Sequence, residues 1–574
     1  MVKIFKHFKW YNWLMALVIV GLIVFQVACE MELIEQTGII VGAITTGTAT
    51  KGYLWDIAVK MIIIAFIIFG LISIISFLAS YVASSVASRI RTKVFNKVES
   101  FSMEEINKFS TDSLITRSTN DITQIQQTIQ MTLRMAITAP TMAIFSLTKV
   151  VNVNMQLSWI TGVALIFMFA LVLSMVFIVI PKFTKIQQKT DKLNLVTREN
   201  LTGLRVVRAY NAEDYQQQKF VDANNDLTKT TLFVNRVTSV LSPGISLAMN
   251  GMYVAVYWIG AYLVGKNLIQ YSDITIFTQY SMHILMSFMF ISMLFIMIPR
   301  GIASAKRVDE ILSTTNKILD GKIESSPNTG TLEFRNVSFR YPDAEGYILE
   351  NISFTANIGE TIAFIGSTGS GKSTLINLIP RFYDVTEGEI LIDGINVKDY
   401  KLHHLHEKIG YVPQKATLFR GSIRENMQYG KENATDDEIY QALDIAQARN
   451  FVQKLENGLD YNIAQGGKNV SGGQRQRLSI ARAIVKKPEF YIFDDSFSAL
   501  DYKTDKALRE ALKPHTKNAT TFIVAQRIGT IMDADKIIVL DGGKIVGIGK
   551  HKELLKKCKI YKEIALSQLS KEEL

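Results

Sequence analysis

Cysteine is almost absent from this 574-residue chain, which contains only Cys29 and Cys558. Two cysteines at opposite ends of the sequence exclude a disulfide framework and a thiolate metal cluster. The apolar stretch near the N-terminus is not followed by a small-residue cleavage site, so we expect no cleaved signal peptide. An internal sequence repeat is also lacking, which favours one membrane module and one soluble module.

An excess of acidic residues is absent as well, because Lys and Arg outnumber Asp and Glu by 63 to 52. A net charge of +11 is typical of proteins that bind nucleic acid or an anionic membrane surface. Here the basic residues stand beside long apolar runs, a placement that favours the inner membrane surface. No basic-aromatic nucleic-acid-binding module is visible. We therefore expect a lipid bilayer, and no nucleic acid, as a partner.

Six apolar runs in the first half are long enough to cross a bilayer, which takes about 20 residues. They lie near residues 13–34, 58–88, 132–152, 157–180, 238–264 and 272–298. The basic, helix-compatible segments at about 89–131 and 181–237 are predicted to be cytoplasmic, and the acidic loop 30–56 to lie outside. Both termini are then cytoplasmic.

Three features of the membrane half leave alternatives open. The N-terminal "KIFKHFKWYNW" predicts either an interfacial amphipathic helix, with Lys3, Lys6 and Lys9 near headgroups, or a disordered basic tail. His283 lies within a span, where it serves either transport or a hydrogen bond between helices. The methionine-rich run Met282–Met297 suits either an adaptable substrate pocket or a packing face.

The second half alternates short apolar strands with helices, a pattern typical of an α/β domain. Its "GSTGSGKST" fits the phosphate-loop pattern G-x-x-x-x-G-K-[ST] and stands between a strand and a helix. Backbone N–H groups of such a loop surround phosphate oxygens, the lysine reaches the β- and γ-phosphates, and the next hydroxyl ligates Mg²⁺. The predicted residues are Gly366, Ser367, Thr368, Gly369, Ser370, Gly371, Lys372, Ser373 and Thr374, with Lys372 and Ser373 in the last two roles.

Two later stretches extend the predicted nucleotide site. The apolar strand "PEFYIFDD" ends in Asp494, the expected second contact of Mg²⁺. In "VSGGQ", Ser471, Gly472, Gly473 and Gln474 open a basic amphipathic helix that offers a hydroxyl, N–H groups and a helix dipole to another phosphate. Two phosphate-binding elements in one chain indicate a nucleotide shared between two subunits.

These motifs, placed behind six spans, resemble the type IV ATP-binding cassette (ABC) exporters over nearly the whole chain. The resemblance implies an all-α six-helix transmembrane domain at 1–320, a linker at 321–331 and an α/β P-loop ATP-binding cassette at 332–574. It also implies a dimer in a bacterial plasma membrane, with two Mg-ATP between head-to-tail cassettes.

The same resemblance assigns roles to further residues. Tyr341 stands where family members stack adenine, Gln414 where the Q-loop joins Mg²⁺ to the membrane domain, and Asp501 in the D-loop. The stretches "SLITRSTNDI" and "RENLTGLRVVRAYNAED" resemble the two cytoplasmic coupling loops, and are otherwise charged helix surfaces.

Three positions depart from the family pattern. Asp495 follows Asp494 where the family has a catalytic Glu, so its carboxylate is withdrawn by about 1.5 Å, and a 1 Å misplacement can cost about a hundredfold in rate. Gln526 replaces a His and can neither carry a positive charge nor relay a proton. Gln465 replaces an acidic residue, a weaker sign because loop positions vary.

The paired changes at Asp495 and Gln526, beside an undamaged "VSGGQ", predict one subunit of a heterodimeric ATPase-coupled exporter. Its own site is expected to bind Mg-ATP and hydrolyse it poorly. The partner half-transporter is expected to carry Glu and His at the matching positions. A homodimeric exporter with slow turnover and a non-transporting, ATP-switched regulatory protein are the alternatives. The substrate, a small molecule, drug, lipid or peptide, does not follow from the sequence.

Overall fold

The computed structural model describes residues 6, 8–326, 329–342 and 344–569. The chain forms two compact units. One contains the residues up to Glu99 together with Thr111–Thr314, and the other contains Ser100–Ser110 together with the residues from Thr315 onward. The predicted interfacial helix falls partly outside the described residues, Lys3 included, and so does part of the predicted linker.

Ten helices precede the first strand within the described part of the chain. They are α1 (Trp10–Thr45), α2 (Lys51–Glu99), α3 (Met103–Phe109), α4 (Thr111–Ser118), α5 (Asn120–Val153), α6 (Met155–Thr202), α7 (Leu204–Ala209), α8 (Glu213–Ser239), α9 (Leu241–Gly265) and α10 (Tyr271–Ser313). Six helical stretches in this region are long and apolar enough to cross a membrane: α1, α2, α4–α5, α6, α8–α9 and α10. The predicted six-helix transmembrane domain is confirmed.

Helix α1 is longer than predicted, because it continues through most of the expected outer loop 30–56 and ends at Thr45. Its three glutamates are compatible with a helix because each carboxylate has a partner side chain. The pairs are Gln26 with Glu30 at 2.9 Å, Gln36 with Glu32 at 2.8 Å, and Lys149 with Glu35. Only residues 46–50 connect α1 to α2.

Small residues allow α1 and α10 to pack closely. A Cβ added at Gly38 would lie 2.0 Å from Cδ1 of Ile276. Further along α10, the buried Nδ1 of His283 has no hydrogen-bond partner among the described residues. Of the methionine run, Met282 packs against the apolar core of this unit, whereas Met293 is 42% exposed.

The described residues of the second unit form three sheets. Their strands are β1 (Leu332–Phe339), β2 (Leu349–Ala356), β3 (Thr361–Gly366), β4 (Glu387–Ile392), β5 (Ile395–Asn396), β6 (Ile409–Val412), β7 (Gly421–Ser422), β8 (Asn462–Ile463), β9 (Phe490–Asp494), β10 (Thr520–Val524), β11 (Lys536–Asp541) and β12 (Lys544–Gly549). The sheet orders are β2-β1-β4-β5, β12-β11-β3-β10-β9-β6 and β7-β8. This arrangement confirms the predicted α/β domain.

Helices surround these sheets. They are α11 (Lys372–Leu378), α12 (Leu402–Glu407), α13 (Ile423–Gln428), α14 (Asp436–Ile445), α15 (Arg449–Val452), α16 (Gly472–Val485), α17 (Tyr502–Leu512), α18 (Ile528–Ile531), α19 (His551–Lys557) and α20 (Lys559–Leu566). Apolar side chains from both faces of the six-stranded sheet form two cores.

The order of the six-stranded sheet positions the chemistry of this unit. Strands β3, β10 and β9 are parallel neighbours, so their carboxyl ends share one edge. The phosphate loop follows β3, Asp494 ends β9, and Gln526 comes two residues after β10. Ligands of open α/β sheets bind at this edge.

Candidate nucleotide-binding site

The phosphate loop between β3 and α11 has the backbone that its glycines permit. Gly369 and Gly371 have φ angles of 84° and 93°, in the left-handed region that favours glycine. The ammonium of Lys372 donates to the carbonyl oxygens of Gly366, at 2.9 Å, and Ser367, at 2.7 Å. Burial lowers the pKa of Lys372. The loop thus holds a half-buried ammonium group against its own backbone, beside N–H groups suited to phosphate oxygens.

Ser373 and Asp494 meet at the shared edge of the sheet. The Ser373 hydroxyl donates to Oδ1 of Asp494 at 2.9 Å. Burial raises the pKa of Asp494, and the neighbouring charge of Asp495 raises it further. A hydroxyl and a carboxylate at this distance are ligands that Mg²⁺ accepts, with phosphates and water completing its shell. The residues present therefore fit the ion that the family implies.

Asp495 is held by two glutamine side chains. The Gln526 amide donates to Oδ2 of Asp495 at 2.8 Å, and the Gln414 amide approaches the same oxygen at 3.4 Å. The backbone of Asp495 is left-handed, with φ 47°, and its N–H donates to the carbonyl of Val524 at 3.0 Å. Burial raises the pKa of Asp495. Its carboxylate thus accepts amide donors, and no histidine in the described part of the chain is hydrogen-bonded to it.

Tyr341 lies beside the end of the phosphate loop. Its hydroxyl is 3.1 Å from Oγ1 of Thr374. The structure therefore brings together Tyr341, the phosphate loop, Asp494, Asp495, Gln414 and Gln526. Gln465 instead is exposed and begins the short turn Gln465–Gly467.

The "VSGGQ" stretch caps α16. The hydroxyl of Ser471 accepts from the backbone N–H of Gln474 at 3.2 Å, and the side-chain Oε1 of Gln474 accepts from the backbone N–H of Ser471 at 2.9 Å. A Cβ added at Gly472 would meet nothing within 4 Å, whereas one at Gly473 would touch the carbonyl of Ala499 at 3.6 Å. In the described part of the chain, the hydrogen bonds of this cap do not reach the phosphate loop.

Asp501, the predicted D-loop residue, caps the next helix. Its carboxylate accepts from the N–H of Thr504 at 3.0 Å at the start of α17. Hydrogen bonds from Thr504 lower the pKa of Asp501. Because Asp501 is exposed, a second subunit has access to it.

Comparisons with known proteins agree with this geometry. The ABC transporter family matches residues 349–498, and the ABC transporter transmembrane region matches residues 16–288. An uncharacterised ABC transporter ATP-binding protein of Mycobacterium tuberculosis H37Rv is 39% identical over 82% of this chain and 81% of its own length. This chain is an ABC transporter.

Two further matches place the transporter among its relatives. The Bacillus subtilis protein named "Probable multidrug resistance ABC transporter ATP-binding/permease protein YheI" is 34% identical over 79% of the transporter and 78% of its own length. A bacterial Atm1-family ABC exporter with ATP bound has the same fold, with a TM-score of 0.78, 23% identity and 98% coverage of both chains. The transporter is therefore a multi-pass cell-membrane protein of a family whose cassettes bind and hydrolyse ATP.

One aromatic neighbour of the site is not predicted from the sequence. Tyr383 packs edge-on against Tyr341, with 5.3 Å between ring centroids. Its position in "RFYD", shortly after α11, is the signal that could have identified it. The contact with Tyr341 could not be predicted, because β2, β3 and α11 separate the two tyrosines along the chain.

The raised pKa of Asp494 makes a prediction about stability. A raised pKa means that the folded chain holds this proton more tightly than the unfolded chain, so the charged carboxylate costs stability above that pKa, and the cost disappears as pH falls through it. We expect Asp494→Asn to raise the melting temperature of the nucleotide-free transporter at pH 8 by about 2–4 °C, as for about 1 kcal/mol, and to weaken Mg-dependent ATP binding.

Differential scanning fluorimetry from pH 8 down to the lowest pH at which the transporter stays folded measures this effect. The difference in melting temperature between Asp494→Asn and the unaltered transporter should shrink at low pH, where Asp494 itself becomes protonated. Asp541→Asn, an exposed carboxylate at the end of β11, is the matched control and should change little. An unchanged or lower melting temperature at pH 8 would contradict the prediction.

Proposed function

We propose that the transporter is one half of a heterodimeric ABC exporter. Its own site binds Mg-ATP and hydrolyses it slowly, while its "VSGGQ" stretch completes the hydrolytic site of a partner half-transporter. The partner carries Glu and His at the positions equivalent to Asp495 and Gln526. The cassettes lie on the cytoplasmic side, and the complex moves a small molecule, drug, lipid or peptide outward.

The contact between Gln526 and Asp495 carries this proposal. An aspartate in the base position already places its carboxylate short of the attacking water. Here that carboxylate also accepts the Gln526 amide at 2.8 Å. Gln526 cannot take up and relay a proton, and it carries no charge that would stabilise the developing transition state. Both groups that would drive hydrolysis are therefore occupied with each other.

ATP binding needs none of the missing groups. Lys372, Ser373 and Asp494 would hold the phosphates and Mg²⁺, Tyr341 would stack the adenine, and Gln414 would contact the metal side. When bound, Mg²⁺ neutralises phosphate charge. Ser373 and Asp494 are already 2.9 Å apart, so little rearrangement of these two side chains is required.

The intact N-terminal cap of α16 supports the proposal that this helix completes the ATP site of the partner. Ser471 and Gln474 form a reciprocal cap, which orders the first turn of α16. The space beside Gly472 is open, since a Cβ added there would meet nothing within 4 Å. A helix N-terminus of this kind binds phosphate.

Two alternatives remain testable. In the first, two copies of the transporter form a homodimer in which Asp495 suffices for slow turnover. In the second, a non-transporting protein uses ATP only to switch conformation. Six spans together with all the nucleotide contacts favour transport over switching. The substrate class rests on the multidrug resistance named for the B. subtilis relative.

Purification of the transporter with and without its partner tests the proposal. We expect the chain alone, in nanodiscs, to bind ATP and to hydrolyse it about a hundredfold more slowly than the complex. ATP binding by equilibrium dialysis and phosphate release measure the two steps, and Lys372→Ala is the control that should lose binding. Stable homodimers with robust ATPase activity and transport would overturn the proposal.

A further inference from the structure

Three aromatic rings form a cluster beside the phosphate loop. Tyr383 meets Tyr341 edge-on, with ring centroids 5.3 Å apart and an interplanar angle of 89°. Phe339 meets Tyr341 edge-on, with ring centroids 4.9 Å apart, and lies in a tilted contact with Tyr383 at 5.6 Å. Edge-to-face contacts of this kind are directional, so they favour one orientation of each ring.

Tyr341 is fixed at two points. The ring of Tyr383 packs perpendicular to the ring of Tyr341, and the Tyr341 hydroxyl lies 3.1 Å from the Thr374 hydroxyl, within hydrogen-bond distance. A ring immobilised before binding loses little rotamer entropy when a planar base stacks on it. Tyr341 alone would lack this advantage, because it is only partly buried.

Tyr383 is itself fixed by a segment from a distant part of the sequence. The Asn107 amide, on α3, donates to the Tyr383 hydroxyl at 3.1 Å. Helix α3 is capped by Ser102 and Glu105, and Glu105 also accepts from the N–H of Lys317 at 3.0 Å. These contacts lie within one compact unit, which contains Ser100–Ser110. Asn107 therefore comes from a well-anchored helix.

We propose that Tyr383 is a positioning residue for nucleotide binding: it holds the Tyr341 ring ready to stack on a nucleobase, and Asn107 holds Tyr383. This inference rests on the base-stacking role proposed for Tyr341. It links base recognition to α3, which the chain contributes from between its second and third spans.

The test compares ligands with and without a base. Affinities for Mg-ATP and for Mg-tripolyphosphate are measured by calorimetry on the full-length transporter in nanodiscs. We expect Tyr383→Leu to lower the affinity for Mg-ATP about two- to tenfold, because the Tyr341 side chain would then have to be immobilised on binding. Tripolyphosphate affinity should not change. A general loss of structure would lower the affinities for both ligands equally.

Two milder variants examine the Asn107 contact. Tyr383→Phe keeps the ring and removes the hydroxyl, and Asn107→Ala removes the donor. Each should lower the ATP-to-tripolyphosphate affinity ratio, and the double variant should be no worse than either, since both remove one hydrogen bond. Tyr347→Phe, which removes an exposed hydroxyl bonded to Glu387, is the control.

The outcomes separate this inference from the proposal beneath it. An affinity ratio unchanged in Tyr383→Leu, while Tyr341→Ala lowers it, would overturn the positioning role and leave base stacking intact. An unchanged ratio in Tyr341→Ala would reject base stacking itself, and the positioning role with it. Additive effects of Asn107→Ala and Tyr383→Phe would reject the link to α3.

Discussion

In the proposed heterodimeric complex, Ser471→Arg should reduce ATP turnover by about a hundredfold or more, although it alters the chain whose own site is proposed to hydrolyse ATP poorly. Ser471 supplies both a hydroxyl and an ordered helix N-terminus at α16. Removal of one preorganised donor from a transition state costs about 10²–10³ in rate, and a bulky arginine also obstructs the approach of the partner's nucleotide. ATP binding to this chain's own phosphate loop should survive.

Phosphate release by the purified complex measures the loss of ATP turnover. ATP binding to the isolated Ser471→Arg chain shows whether its own phosphate loop still binds the nucleotide. Ser422→Arg is a matched control, because Ser422 also caps a helix in the same unit through a reciprocal bond with Glu425. Loss of a cap costs about 1 kcal/mol in either case. Full activity of the Ser471→Arg complex would refute the shared site, and equal inactivation by Ser422→Arg would attribute the loss to folding.

The parts of this fold that could be predicted are those that local sequence determines. Membrane spans depend on the length of apolar runs, so the six-helix transmembrane domain follows from composition alone. The phosphate loop depends on glycines next to Lys372 and Ser373, and the strand and helix around it are equally local. The carboxyl-edge position of Asp494 also follows from one short buried strand.

Other features depend on contacts between distant residues. The part of α1 beyond the predicted span contains Glu35, which pairs with Lys149 over a hundred positions away. The grouping of α3 with the C-terminal half depends on contacts such as Asn107 with Tyr383. The sequence identifies Asp495 and Gln526 as unusual residues, but it does not indicate that their side chains bond to each other.

That bond leads to the second prediction. In complexes silenced at the partner's site by Ser471→Arg, turnover at this chain's own site should rise less than about tenfold with Asp495→Glu alone. Gln526 would still lack a charge, and its amide would still engage the new carboxylate. Asp495→Glu combined with Gln526→His should raise turnover about a hundredfold, since it restores both the reach and the charge-bearing partner.

Single-turnover phosphate release from these complexes, with Gln526→His alone as the companion variant, measures the interaction between the two positions. The two substitutions should be strongly non-additive, because Gln526 and Asp495 are in direct contact at 2.8 Å. If Asp495→Glu alone hydrolysed ATP as fast as the partner's competent site, the length of the side chain at this position would be the only limit on hydrolysis. Strict additivity would mean that the Gln526 contact has no part in keeping the site slow.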